Sequence, residues 1–423
     1  MMLSRFRQAR NLQRLLGGRV VTNAGDSMFY VAVMWLVFEL TGSELYTGIA
    51  GFLALAPQGV QFLAGPLVDR VSPRRILVGT QLVQLAVVVT VPLTMMTGQL
   101  SVWLLLVVVF VLSILHQPGY LAESVTIPRL VAKEDLVSTN SLFAVAHQGV
   151  FALFNIVGGV LIATFGTVAL FWADAVTFGV AALLFSTLRI PARTRNHNPT
   201  DDPVRHAVSL PDGGHVGDNT SIREGLAVVR GSIIAPLLLP PALVFFAVGG
   251  TLAVLPAYAT SFGGAEAYGF LVASVGGGLL LGAVVASVVS NVQVGRVLVV
   301  GLAVSASAWA AALLVGSLAA TVGLLVLAFV PLGALSVLLI SMVQAVVPAE
   351  LLGRVLGIVV SITGAAMPLG SLTGGVLGAA TTPTTVLAVA VGLITVGGLY
   401  VLVVPSLRQL PQVTELSSLS GGE

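Results

Sequence analysis

Twelve long apolar segments run through this chain and leave little sequence for anything else. A bilayer core about 30 Å thick needs about 20 apolar residues per helix, so each segment is long enough to cross a membrane. With 57% hydrophobic and only 9% charged residues, the composition lies far outside that of a soluble domain. The predicted spans are 17–40, 45–68, 76–96, 101–124, 139–164, 167–188, 232–260, 264–290, 295–316, 318–346, 354–380 and 383–405.

The basic residues predict the orientation of these spans. If the N-terminus lies on the inner side and each segment crosses the membrane once, all 19 Lys and Arg residues lie on the inner side of the membrane. Basic residues near span ends are retained in the cytoplasm during insertion, and one wrongly assigned span would flip every later loop. We therefore predict an all-α polytopic protein of the cell membrane, with twelve transmembrane helices and with both termini cytoplasmic.

One polar stretch interrupts the apolar pattern near the middle of the chain. Residues 189–231 are rich in Pro, Gly and charged side chains, a composition typical of a flexible linker. The sequence therefore predicts a six-helix half at 1–188, this linker in the cytoplasm, a second six-helix half at 232–406 and a cytoplasmic tail at 407–423.

Short matches indicate that the two predicted halves are repeats of each other. The matches stand at the second, third and fifth helix of each half, in the same order and offset by about 221 residues or slightly less. They pair 46–48 with 268–269, 75–79 with 296–301, and 157–161 with 373–377. A duplicated six-plus-six bundle is the architecture in which two halves rock about a site near the membrane midplane.

The loop after the second predicted helix carries the sharpest local motif. It reads Gly65-Pro66-Leu67-Val68-Asp69-Arg70-Val71-Ser72-Pro73-Arg74-Arg75-Ile76-Leu77. This resembles the loop between helices two and three of the major facilitator superfamily, Gly-x-Leu-x-Asp-Arg-x-Gly-Arg-Arg-x-x-Leu, and departs from it at Ser72 and Pro73. The resemblance implies the superfamily fold and a gating loop.

The residue types of this loop suit a latch between helices. Gly65 permits close helix approach, and Asp69 can cap or pair at a neighbouring helix terminus. Arg70, Arg74 and Arg75 can lie beside helix C-termini. The alternative is an ordinary loop whose arginines only direct insertion. The corresponding loop of the second half, 290–296, has no Asp.

Three further stretches resemble the branch of the superfamily that contains the enterobactin exporter and the macrolide-efflux proteins. They are Asn23-Ala24-Gly25-Asp26 through 35–43, Ile127-Pro128-Arg129-Leu130-Val131 with Asn140-Ser141-Leu142, and 347–355. In the fifth helix, antiporters often carry Gly-Pro-x-x-Gly-Gly. This chain keeps Gly158-Gly159 but has Phe154-Asn155 in place of the Gly-Pro.

Polar residues line one face of the first, fourth and fifth predicted helices. In the first helix, Thr22, Asn23, Asp26, Ser27 and Tyr30 fall within about 140° when each residue turns by about 100°. Burying polar groups in lipid is costly, so aligned stripes predict a watery central cavity. Helix–helix hydrogen bonding is the alternative for individual residues. The substrate-cavity candidates are Asn23, Tyr30, Gln117, Tyr120, His147, Gln148 and Asn155.

Four ionisable residues inside the spans are candidates for proton coupling: Asp26, Glu123, His116 and Asp174. The sequence places no Lys or Arg deep in any span, so we expect these acids to have no permanent cationic partner. An apolar medium favours the neutral form of a carboxyl group, which suits proton coupling or a cationic substrate. Asp26 is the preferred carrier, and Glu123 assisted by His116 is the next. Capping or packing is the alternative for Asp26 and Asp174.

These features predict a secondary active transporter rather than an enzyme. We expect export of amphipathic drug-like or siderophore-like molecules by proton antiport with alternating access; the alternative is a symporter or facilitator that imports a small nutrient. The chain has no clustered catalytic set, no pore-lining rings of a channel and no Gly-Lys-Ser/Thr phosphate loop of an ATP-driven pump. The expected partners are a small-molecule substrate, protons and the bilayer. We expect a monomer without cofactor, metal ion or nucleic acid.

Overall fold

The computed structural model describes residues 2–59, 68, 70–131, 136–190, 232–289, 292–347 and 349–412. Within these ranges the chain is helical throughout, and no strand occurs. The predicted linker falls almost entirely outside them, as do Gly65 and Asp69 of the predicted gating loop. The helices before the linker are α1 (Met2–Thr41), α2 (Glu44–Leu55), α3 (Pro73–Met96), α4 (Val102–Leu130), α5 (Leu136–Phe165) and α6 (Thr167–Ser186).

The helices after the linker follow the same alternation of long helix and short turn. A single 3₁₀ turn, Thr260–Phe262, separates the first two of them. They are α7 (Ile234–Ala259), α8 (Ala265–Val289), α9 (Val294–Leu314), α10 (Leu318–Val346), α11 (Ala349–Ala380), α12 (Pro383–Val403) and the short α13 (Pro405–Arg408).

Ten helices in the described part of the chain are long and apolar enough to cross a membrane. They correspond to ten of the predicted spans and confirm a polytopic helical membrane protein. The other two predicted spans coincide with α2, which leads into residues outside the described ranges, and with a shorter apolar stretch of α5, Gly149–Phe165. Both are consistent with the predicted count of twelve.

The described chain forms two compact units, which do not divide it at a single point. The first contains Met1–Arg195, Leu252–Gly276 and Gly375–Pro383. It therefore combines α1 to α6 with the C-terminal end of α7, the first half of α8 and the last turns of α11. The second unit contains Asn196–Thr251, Gly277–Gly374 and Thr384–Glu423.

Helix α1 is the central element of the first unit, where it packs against α6, α5, α4 and α2. Two glycines allow α6 to approach closely. A Cβ atom built at Gly18 would lie 2.8 Å from Cζ of Phe185, and one built at Gly25 would lie 3.0 Å from Cβ of Thr177. Since real Cβ atoms do not come so close, a larger residue at either position would push the two helices apart.

An apolar cluster closes the first unit at the N-terminal end of α1. Its members come from α1, from the start of α3, from the start of α5 and from the C-terminal parts of α4 and α6, and all are buried. Burial on this scale anchors the five helices to one another at this end. The cluster contains Leu15, Ile76, Leu77, Ala122, Ile127, Leu130, Phe143, Ala181, Phe185 and Leu188.

In the second unit, the segment after α12 returns to the N-terminus of α9. The backbone N–H groups of Val294 and Gly295 donate to the carbonyl oxygens of Pro411 and Leu410, at 3.3 Å in both cases. Leu407 and Leu410 are buried, and Gly295 has no room for a side chain because the backbone of Arg408 lies against it. The returning segment thus caps a helix end that would otherwise leave N–H groups free.

Candidate functional site

Two facing pairs of ionisable side chains join α1 to α4. The Nε atom of Arg19 donates to Oε2 of Glu123 in a buried ion pair. Oδ2 of Asp26 lies 3.5 Å from Nδ1 of His116. Asp26 follows Arg19 by seven residues and His116 precedes Glu123 by seven, so the pairs are successive rungs between antiparallel helices. Seven residues correspond to about 10.5 Å along a helix axis.

The two rungs differ in their exposure. The side chains of Arg19 and Glu123 are 8% and 10% accessible, whereas those of Asp26 and His116 are 29% and 32% accessible. Both residues of the second rung lie in the interior of helices long enough to span a membrane. The Asp26–His116 pair is therefore a partly accessible ionisable pair within spanning helices, and the Oδ2 atom of Asp26 that faces His116 is itself buried without a hydrogen-bond partner among the described residues.

The structure corrects two predictions about these residues. The first, that these acids have no permanent cationic partner, is wrong for Glu123, because Arg19 is buried within α1 and contacts it. Arg19 stands near the start of the predicted span, where a basic residue is also typical of an insertion signal. The second paired His116 with Glu123, whereas the structure places His116 against Asp26; an assisting role of His116 stays a prediction. A signal for Arg19 was present: residues seven apart differ by only about 20° around a helix, so it shares the face of Asp26.

Asp174 lies on α6 beside this site but is fully buried. Its Oδ1 atom accepts a hydrogen bond from Oγ1 of Thr177 at 3.3 Å, and it packs against Gly25 of α1. Asp26 is near enough to influence it electrostatically. Its Oδ2 atom has no hydrogen-bond partner among the described residues. This packed position between two helices favours a structural role for Asp174 over direct exchange with water.

Neutral polar side chains continue the site toward α3. The hydroxyl of Thr22 lies 3.4 Å from Oε1 of Gln81, and Nε2 of Gln81 donates to Oε1 of Gln84 at 3.2 Å. All three residues are buried. Neither glutamine is among the candidate residues predicted from the sequence. Their spacing of three residues on one face of α3 was the available signal.

The predicted cavity residues occupy different surroundings. Asn23 and Gln117 are buried, Tyr30 is half-buried, and Tyr120 is 52% exposed. His147 is exposed and lies near His116. The side chain of Gln148 is outside the described residues. The structure thus places His147 near the Asp26–His116 pair. For the other candidates in this paragraph, a place in the substrate cavity stays a prediction.

Asn155 has a packing environment rather than an open one. It is fully buried, and its Nδ2 atom donates to the carbonyl oxygen of Phe151 at 2.5 Å. Its own backbone carbonyl lies against Gly269 of α8, where a Cβ atom would approach it to 2.7 Å. This favours the helix-packing alternative for Asn155.

The three arginines of the predicted gating loop are exposed. Arg74 and Arg75 lie in the first turn of α3 and Arg70 lies just before it, whereas Pro73 between them is buried. Because Gly65 and Asp69 lie outside the described residues, the latch stays a prediction.

Aromatic and glycine contacts bring α1, α2 and α5 together with α8 and α11 within the first unit. The rings of Trp35 and Tyr268 lie 6.2 Å apart. A Cβ atom built at Gly159 would lie 2.7 Å from Cα of Gly269, and one built at Gly375 would lie 2.7 Å from Cα of Gly48. These contacts are found near the C-terminal end of α1, away from the Arg19–Glu123 rung.

The family of the chain follows from its sequence as a whole. A family model described as "Transmembrane secretion effector" matches residues 6–420. The multidrug efflux pump Tap of Mycobacterium tuberculosis (strain ATCC 25618 / H37Rv) is 28% identical over 412 residues, which cover 94% of each chain. Macrolide efflux protein A of Streptococcus pyogenes is 25% identical over 178 residues, covering 41% of this chain and 43% of that protein.

Solved structures show the same fold at low sequence identity. A bacterial homologue of the human lysosomal transporter Spinster, inward-facing and unoccupied, has a TM-score of 0.70 at 15% identity, covering 96% of this chain and 98% of that one. The nucleoside transporter NupG has a TM-score of 0.68 at 14% identity, covering 93% and 98%. These structures show the fold, and the family model, which matches nearly the whole chain, establishes that the chain belongs to the transmembrane secretion effector family of the major facilitator superfamily.

Proposed function

We propose that this protein exports amphipathic small molecules across the cell membrane in exchange for protons, by alternating access and with both termini in the cytoplasm. Its similarity to a multidrug efflux pump along 94% of the chain supports export. The partial similarity to a macrolide efflux protein points to large, partly apolar substrates. The one-sided distribution of the basic residues supports the orientation.

The Asp26–His116 pair is the observation that carries the proton coupling. A carboxyl and an imidazole 3.5 Å apart, both about one-third accessible inside spanning helices, can exchange a proton with water that reaches the site. In the antiport cycle, ionised Asp26 holds the substrate when the site opens to the cytoplasm. Uptake of a proton by Asp26 on the outer side then releases it.

The charges around the pair support Asp26 as the carrier. The guanidinium of Arg19 contacts Glu123 and also acts on Asp26, whereas Asp174 accepts a hydrogen bond from Thr177. An isolated carboxylate in a low-dielectric interior is costly unless it is paired. Since Arg19 contacts Glu123 directly, a proton or another cation, such as protonated His116 beside Asp26, is needed to stabilise the other two acids. Of these two only Asp26 is accessible.

Inverted membrane vesicles test both direction and coupling. The protein is expressed in a strain without major efflux pumps, and the vesicles are acidified inside by respiration. An exporter exchanging protons accumulates ethidium, followed by its fluorescence, and loses it when nigericin collapses the pH gradient. A proton symporter would instead expel the probe from acid-loaded inverted vesicles. Absence of any pH-dependent movement across a panel of cationic dyes, macrolides and siderophores would reject the proposal.

A further inference from the structure

The Arg19–Glu123 ion pair is buried more deeply than substrate or proton exchange requires. Both residues are more than nine-tenths buried, and the contact joins positions 104 residues apart in the chain. Removing one partner from such a pair leaves an uncompensated charge in an apolar interior, whereas the intact pair is neutral as a unit. Breaking the pair is therefore costly, which favours a fixed contact over a group that changes its charge during transport.

The position of the pair also sets the height of α4 along α1. Once Glu123 contacts Arg19, the antiparallel course of the two helices places the residue seven positions earlier on α4 beside the residue seven positions later on α1. Those residues are His116 and Asp26, which the structure finds 3.5 Å apart. A shift of one helical turn, about 5.4 Å, would separate them.

We propose that Arg19 and Glu123 are positioning residues: their ion pair fixes the register between α1 and α4 and thereby creates the Asp26–His116 site, while Glu123 itself carries no proton. The inference rests on the proposed function for its consequences in transport. The register can be measured without transport.

Four charged or titratable groups surround Asp26 or its partner His116. Arg19 lies on the same helix, His116 on α4, and Asp174 on α6, while His147 of α5 acts through its proximity to His116. Neutralising Glu123 alone leaves the charge of Arg19 uncompensated, which favours the carboxylate of Asp26. Neutralising Arg19 alone leaves the carboxylate of Glu123 uncompensated, and this nearby negative charge favours protonated Asp26. The two single variants should therefore shift the pH profile of transport in opposite directions.

The transport experiment compares Arg19→Gln, Glu123→Gln and the exchanged double variant Arg19→Glu/Glu123→Arg. Each single variant should lower ethidium transport about tenfold or more. The pH of half-maximal transport should fall for Glu123→Gln and rise for Arg19→Gln. The exchanged pair should recover most of the rate, with a profile closer to wild type than either single variant. Loss of proton coupling in Glu123→Gln that the exchanged pair does not restore would identify Glu123 as a carrier and overturn the proposal.

A cross-linking experiment tests the register independently of transport. The chain contains no cysteine, so the pair Asp26→Cys/His116→Cys is the only target of a short bis-thiosulfonate reagent. Cross-linking should be efficient with Arg19 and Glu123 intact or exchanged, and should decrease in either single-variant background. Equal cross-linking in all backgrounds would refute a positioning role even if the protein exports ethidium. A wild-type protein without proton-driven transport but with this cross-linking pattern would refute only the proposed function.

Discussion

Gly159 of α5 and Gly269 of α8 meet so closely that a side chain on either one would enter the backbone of the other. A Cβ atom built at Gly159 would lie 2.7 Å from Cα of Gly269, and the reverse distance is the same. Gly48 of α2 and Gly375 of α11 form a second contact of the same kind. The sequence repeat matches 48 with 269 and aligns 159 with 375. The two contacts are therefore related by the repeat symmetry. Each joins a glycine of the first repeat to a glycine of the second.

The Gly159 contact predicts a position-specific effect within α5. Gly159→Ala should destabilise the protein by about 1–3 kcal/mol, because the added methyl group overpacks a backbone contact. Gly149→Ala in the same helix meets open space and should be neutral or slightly stabilising, since Ala favours helix over Gly. Thermal unfolding of the purified variants in detergent measures the difference. Equal melting temperatures would show that the α5–α8 contact is absent in the membrane protein.

Asp26→Asn removes the accessible carboxyl of the candidate site. The amide cannot take up a proton, so accumulation of ethidium driven by a pH gradient should be lost, and any remaining movement of substrate down its own gradient should no longer depend on pH. Paired uptake and counterflow assays in proteoliposomes separate these activities. Val107→Ala, at an exposed position on α4 outside the candidate site, is the control and should keep most proton-driven uptake. Asp26→Asn that still builds a gradient at the wild-type rate would remove Asp26 from the mechanism.

The predicted gating loop gives a third test. If Asp69 and the neighbouring arginines stabilise one state of the transporter, Asp69→Asn should slow turnover while leaving membrane insertion and substrate binding almost unchanged. Binding is measured by fluorescence polarisation of a bound dye, and turnover by vesicle uptake. Ser72→Ala in the same loop is the control. Parallel loss of binding and turnover would indicate misfolding, and full activity would leave the loop an insertion signal only.

The predicted linker should tolerate cleavage. Its composition offers few apolar contacts, so limited proteolysis should cut between 196 and 218. Fragments 1–200 and 215–423, expressed together, should then copurify and transport ethidium. The critical comparison is a split inside α4, which should fail to assemble. Failure of both the cleavage and the reassembly at the linker would mean that this segment is an ordered part of the transporter.

The segment that returns to α9 predicts a boundary for truncation. A chain ending at Gln412 keeps the carbonyl groups of Leu410 and Pro411 that cap α9, so its melting temperature should equal that of the full chain. A chain ending at Val404 loses both hydrogen bonds and the buried Leu407 and Leu410, and should melt several degrees lower. Equal melting temperatures for both truncations would contradict a stabilising role for the segment.

The sequence determined the helical membrane architecture because that signal is local. Each span must satisfy its own backbone hydrogen bonds in lipid and present apolar side chains, so about 20 consecutive residues suffice to identify it. The signal for the polar face of α1 is also local, because the spacing of Thr22, Asn23 and Asp26 alone places them on one side of a helix. Ten of the predicted spans are confirmed on this basis.

Only the tertiary structure decided which ionisable residues face each other. Arg19 and Glu123 are 104 residues apart, and their contact depends on the rotation of α1 and α4 and on their relative height. The polar stripe on each helix predicts its rotation approximately, but it contains no information about the relative height of the two helices. For the same reason His116 was assigned to Glu123 on its own helix instead of to Asp26 across the interface. Side-chain pairing between helices is fixed by how they pack. The close approach of α6 to α1 at Gly18 and Gly25 is another example, because a missing side chain becomes informative only when the neighbouring helix is in place.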